Sequence, residues 1–125
     1  MEPLIINEKE DTPSVILDSL NNKFEIKGRS MPENVNEFYT TIIDWMKEYS
    51  RHPNDETILD FRLEYYNSAS AKHIFELVYG LGKLKDAGKE VLVRWFYQTD
   101  DEDMADSGQT LATICKVPFK LIPIY

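Results

Sequence analysis

The chain has a single cysteine, Cys115, in its 125 residues. An internal disulfide is therefore impossible, and no Cys/His cluster has the spacing of a zinc site. Long apolar runs are missing too: none approaches the roughly 18 residues that a membrane span requires. The opening residues, Met1 to Asn7, have no basic segment ahead of a long apolar one, so a secretory signal is not expected. Positive charge is scarce. Fourteen Lys and Arg face 22 Asp and Glu, for a net charge of −8. Nucleic-acid binders displace counterions with a positive face, and anionic membranes attract basic segments, so neither partner is expected. No repeat, low-complexity tract or linker divides the chain. What the sequence does hold is 42% hydrophobic residues, including 2 Trp, 7 Tyr and 6 Phe. That is core material for one domain spanning 1–125, expected in a reducing, cytoplasmic compartment.

Hydrophobic periodicity divides the chain into alternating elements. Short β-like stretches fall at 4–6 and 14–17, and Phe24 and Ile26 alternate with charged neighbours. Residues 14–28 thus read as a hairpin closed at Asn21-Asn22, since Asn tolerates positive φ. The S-x-x-E pattern Ser30 to Glu33 reads as a capping box, with a helix near 32–50 behind it. Its stripe is Phe38, Ile42, Trp45, Met46 and Tyr49, and it should stop before His52-Pro53. Residues 57–66 alternate Leu59, Phe61, Leu63 and Tyr65 with Asp60, Arg62 and Glu64, as in a strand with one wet face. Ile74, Leu77, Val78, Leu81 and Leu84 follow at helical spacing, and Gly88 closes a helix near 69–87. Val91 to Tyr97 is a strand, 100–106 an acidic turn, 111–115 a short helix, and a last strand begins at Pro118.

The expected fold is α/β: one mixed sheet, at least one right-handed parallel crossover, and helices packed mainly on one face. Ten apolar strand and helix positions, with Phe38 and Trp45, are expected to be mostly buried: Ile42, Leu59, Phe61, Leu63, Ile74, Leu77, Val78, Leu81, Val93 and Trp95.

Signals for catalysis are sparse. His52 and His73 have no Ser or Cys paired with them in sequence, and His73-x-x-Glu76 lacks the further ligands of a metal site. Gly80 to Lys83 fails the phosphate-loop pattern and lies within a helical stripe, where its glycines would let the helix approach the sheet. Cys115 reads as a small core residue. The run Asp100 to Asp106 lacks the ligand spacing and glycine of a calcium loop, so no metal or cofactor is expected. A small metal-dependent enzyme using His73 or the acidic 100–106 loop is the alternative reading.

One junction carries a specific argument. The strand ending at Tyr66 meets the next helix at Asn67-Ser68-Ala69-Ser70. A hydroxyl at a helix start is an ordinary N-cap. It is also a place where unpaired N–H groups and the helix dipole accommodate a phosphate. On these residues alone the ordinary cap is the stronger of the two readings.

Four segments bear a resemblance that separates them. Gly28 to Tyr39, Leu63 to Lys72, Asp101 to Met104 and Val117 to Phe119 resemble, in order, the SiaC-like family of bacterial regulators. The resemblance implies a STAS-like fold, similar to anti-sigma-factor antagonists, and a non-enzymatic phosphoprotein switch. It implies a partner kinase that phosphorylates one hydroxyl and a PPM-type phosphatase that removes the phosphate. It further implies that the unphosphorylated form binds and activates a diguanylate cyclase, raising cyclic-di-GMP and promoting biofilm growth. The family's phosphoacceptor threonine maps onto Ser68, with Ser70 as the alternative acceptor. The partner-binding surface then comprises Asn67, Ser68, Ala69, Ser70 and Lys72.

Overall fold

A computed structural model describes residues 1–125. Six strands form the sheet: β1 Leu4–Ile6, β2 Ser14–Asp18, β3 Lys23–Ser30, β4 Glu56–Tyr66, β5 Glu90–Gln98 and β6 Phe119–Ile124. Three helices connect the later strands: α1 Val35–Tyr49, α2 Ser68–Asp86 and α3 Glu102–Cys115. Spatial order follows chain order from β1 to β6. The first three strands form an antiparallel meander, and β3 to β6 are parallel. Asn22, at φ +52°, turns the β2–β3 hairpin. Each of three crossovers steps to the next strand in the same direction. Connections of one hand then leave every helix on one face.

That face holds the core. Leu59, Phe61, Leu63, Val93 and Trp95 meet Ile42, Ile74, Leu77, Val78 and Leu81, all buried. Phe38 and Trp45 are half-buried instead, because α1 turns Tyr39 inward with Ile42 and Tyr49. Tyr39 was not expected there. A buried tyrosine needs a partner for its hydroxyl, and Tyr39 finds Ser30.

The alternation of β4 does not run to its end. Gly28 pairs with Leu63 but Arg29 pairs with Tyr65, so Glu64 is skipped in a bulge. An extra residue reverses the faces beyond it. Tyr65, expected inside, is 44% exposed, whereas Tyr66 packs edge-on against Trp95 at 6.2 Å.

Two further expectations are corrected. Ser30 does not cap α1; it is the last residue of β3 and fully buried. Asn34 is the cap, accepting from the Glu37 amide and donating to its carboxylate at 3.0 Å. The acidic run is not a turn but the start of α3, with Asp101 accepting from the Met104 amide and Glu102 and Asp103 in the first turn. Carboxylates are favourable there because they face the positive end of the dipole.

The opposite sheet face has no helix and is covered by its own side chains. Arg94 of β5 makes two 2.6 Å bonds to Asp60 of β4. Arg62 reaches Glu25 at 3.3 Å and lies 3.7 Å over the Phe96 ring. Phe96 is consequently only 8% exposed on a face open to water.

Candidate functional site

The parallel strands direct β4 toward one end of the sheet, where the chain turns at once into α2. Asn67 makes the turn. Its amide donates to the Ser30 carbonyl, and its side chain accepts from the Ser70 amide at 2.9 Å, capping the helix. Ser68 is thereby the first helical residue, exposed together with Ala69 and Lys72. The first-turn amides of a helix have no carbonyl partner within it. The opening turns of α1 and α3 contain carboxylates that face this positive end, but α2 has no acidic residue there.

Ser70, two residues on, has a different environment. It is fully buried, donates to the Ser30 carbonyl at 3.1 Å and receives the Ser30 hydroxyl at 2.8 Å. Tyr39 completes the network by donating to Ser30. Burial pushes the Tyr39 phenol above its ordinary pKa, with the hydrogen bond to Ser30 pulling the other way. Ser70 thus lies beneath the surface to which it was assigned. The helical period explains this, since residues two apart lie about 200° apart around the axis and so face opposite ways.

Around Ser68 is a shallow depression of about 350 Å³, lined also by Tyr65, Asn67, the α3 cap Asp101 and the α3 residues Asp103 and Met104. The N-termini of two helices and two or more carboxylates therefore share one end of the sheet. Lys72 stands one turn beyond Ser68, lining the hollow between α2 and α3 with Asp103 and Asp106. Acid followed four residues later by lysine is the favourable helical order, so a phosphate on Ser68 would have one cation within reach.

His73 has a structural position. It is 9% exposed, stacks on Tyr39 at 5.2 Å and meets the Asn36 side-chain oxygen at 3.0 Å through Nε2. No group of three or more His, Cys, Asp or Glu side chains converges closely enough to hold a metal ion. Cys115 is buried, which raises its thiol pKa. The chemistry offered at the end of β4 is that of an exposed acceptor hydroxyl on a fixed helix terminus.

The model of the family described as SiaC family regulatory phosphoprotein matches residues 6–124. The chain belongs to the SiaC family. An uncharacterized protein of Pseudomonas aeruginosa (strain UCBPP-PA14) is 28% identical over 121 residues, covering 97% of this chain and 96% of the relative. Two solved structures of P. aeruginosa SiaC superpose closely. The apo form has TM-score 0.88 at 28% identity over 98% of this chain and 99% of that one. A second has TM-score 0.91 at 27% identity, covering 99% and 100%. The third structural relative is the complex of the diguanylate cyclase SiaD with its activator SiaC, also from P. aeruginosa. Its matched chain gives TM-score 0.89 at 27% identity over 97% of this chain and 99% of that one. The mixed six-stranded α/β fold is thus that of SiaC.

Proposed function

We propose that this protein is a non-enzymatic signalling switch, reversibly phosphorylated on Ser68. A Ser/Thr kinase adds the phosphate and a PPM-type phosphatase removes it. The unphosphorylated chain, acting as one unit over 1–125 in the cytoplasm, binds and activates a diguanylate cyclase and so controls cyclic-di-GMP and biofilm growth. Membership of a regulatory phosphoprotein family supports the modification, and the cyclase complex of a relative supports the output. The absence of a helix long and apolar enough to cross a membrane is compatible with the compartment.

The single observation that carries the choice of residue is the contrast between two neighbouring hydroxyls. Ser68 is exposed at the helix start; Ser70 is buried and doubly hydrogen-bonded. A kinase can reach the first without unwinding the turn. Phosphate there adds about −1.5 to −2 charges. The dipole stabilises such charge by about 0.3–1 kcal/mol, so the fold tolerates it. A partner seated over Ser68 meets a hydrated dianion beside Asp101 and Asp103, and desolvating it opposes docking.

Phosphopeptide mass spectrometry of the chain isolated from its own bacterium tests this, with and without a metal-dependent phosphatase. The expected result is phosphate on Ser68 that the phosphatase removes. Phosphate confined to another residue, or Ser68 unmodified in every growth state, would overturn it.

A further inference from the structure

Two to four turns along α2 from Ser68, its outer face meets α1 in a groove of about 320 Å³. Ile43 and Met46 of α1 and Phe75 of α2 give it an apolar floor. Tyr79 stacks on Phe75 at 6.0 Å yet remains 55% exposed, so its ring stands as an open wall. A large aromatic held in place but left half uncovered is what a docking surface presents.

Gly80 supplies an independent observation. A glycine in a helix interior costs stability relative to alanine, and its bare backbone lets something come close. Within this chain nothing does. A Cβ built on Gly80 would meet no atom within 4 Å, and the residue lines the groove. Gly108 of α3 shows the opposite case, because its Cβ would lie 2.5 Å from the Trp95 ring. The sheet explains Gly108. Gly80 leaves the α2 backbone bare where it lines the groove, with room for a neighbour to come close.

Charge selects the visitor. The chain carries −8 overall, but two lysines, Lys47 and Lys83, line this groove against one carboxylate, Glu76. Lys83 also lies 5.9 Å from the Tyr79 ring centroid. We propose that the α1–α2 groove docks an amphipathic helix of a protein partner, its apolar side chains between Met46 and Tyr79, its backbone close to Gly80 and its flanking carboxylates on Lys47 and Lys83. This rests on the reading that the chain is a docking module, not on the identity of Ser68 as the switch.

The test places a photo-cross-linking phenylalanine derivative at position 79 of the full chain in its own bacterium and sequences the cross-linked segment. An exposed α2 position outside the groove's lining, Lys85, is the control. The expected product is a helical segment bearing apolar and acidic residues, with its yield reduced at least tenfold by Gly80→Leu. The double reversal Lys47→Glu with Lys83→Glu should reduce it similarly. Gly80→Leu should raise the melting temperature, which shows that the loss is not unfolding; if Gly80→Leu fails to fold, the charge reversal alone decides. Cross-links to a second copy of this chain, to a segment without carboxylates, or no more than at position 85 would overturn the inference. So would yields unchanged by both variants, or a bound amphiphile seen as added mass in native mass spectrometry of the purified chain. A cross-linked helix from a protein other than a cyclase would sustain the groove and remove the cyclase reading. Ser68-dependent cyclase binding that is indifferent to Gly80→Leu would do the reverse.

Discussion

Ser68 and Ser70 carry the same functional group and differ in everything that surrounds it. Truncating Ser70 leaves the buried Ser30 hydroxyl without its acceptor, so Ser70→Ala should destabilise the fold by about 1–3 kcal/mol. Ser68→Ala, at an exposed position, should change stability by less than about 0.5 kcal/mol. Urea denaturation of both variants checks the contrast, and equal losses would refute the buried network. Tyr39 extends the prediction to pH. Its folded-state pKa lies above the unfolded value of about 10, so the folded chain holds that proton more tightly. The associated stability is present below pH 10 and is lost as pH rises through the folded pKa. Tyr39→Phe should flatten that alkaline loss in thermal melts taken across pH 9 to 12; an unchanged slope would show that the phenol is not responsible. The sequence marks the Asn67–Ser70 junction as a helix start, but it does not distinguish its two hydroxyls. Ser70 is sequestered by Ser30 and Tyr39, 40 and 31 positions away in the chain, contacts invisible until the fold brings them together.

At the scale of elements, periodicity located every strand, α1 and α2, but of α3 only the closing stretch near 111–115. The skipped Glu64 turned Tyr65 out and Tyr66 in. The polar start of α3 hid a helix, since Asp101 to Asp106 have no apolar stripe until Met104 meets Trp95. Glycine was the hardest residue to read. Gly80 and Gly82 were expected to bring α2 close to the sheet, yet Gly80 faces open space and Gly82 makes only an ordinary 3.6 Å contact with Val117. Gly108 is the one that permits close approach, by α3. Alanine should therefore act oppositely at the two positions. Gly108→Ala drives a methyl into the fully buried Trp95 and should cost about 1–3 kcal/mol. Gly80→Ala should stabilise by about 0.5–1 kcal/mol, through helix propensity alone. Differential scanning calorimetry decides, and shifts of the same sign would contradict the packing assigned to α2 and α3.

For the whole molecule, chain order does most of the organising. Sequential parallel crossovers put all three helices on one face and gather the C-terminal ends of β3 to β6 with the helix N-termini at one end. Ser68 stands at that end, where β4 passes into α2. Alternation in β4 and two apolar helical stripes made this architecture legible from sequence, and the match to SiaC over 6–124 agrees with it. The self-covering of the open sheet face was not legible, because the Arg62–Phe96 and Arg94–Asp60 contacts join residues of different strands. The switch itself is tested most directly by titration calorimetry. The partner diguanylate cyclase is titrated with the chain carrying either serine or genetically encoded phosphoserine at position 68. Taking a phosphate out of water beside Asp101 and Asp103 costs several kcal/mol, and about 1.4 kcal/mol is tenfold in affinity. The unmodified chain should bind, and the phosphorylated chain should bind at least tenfold more weakly with its melting temperature maintained. Equal or tighter binding of the phosphorylated chain would contradict the account.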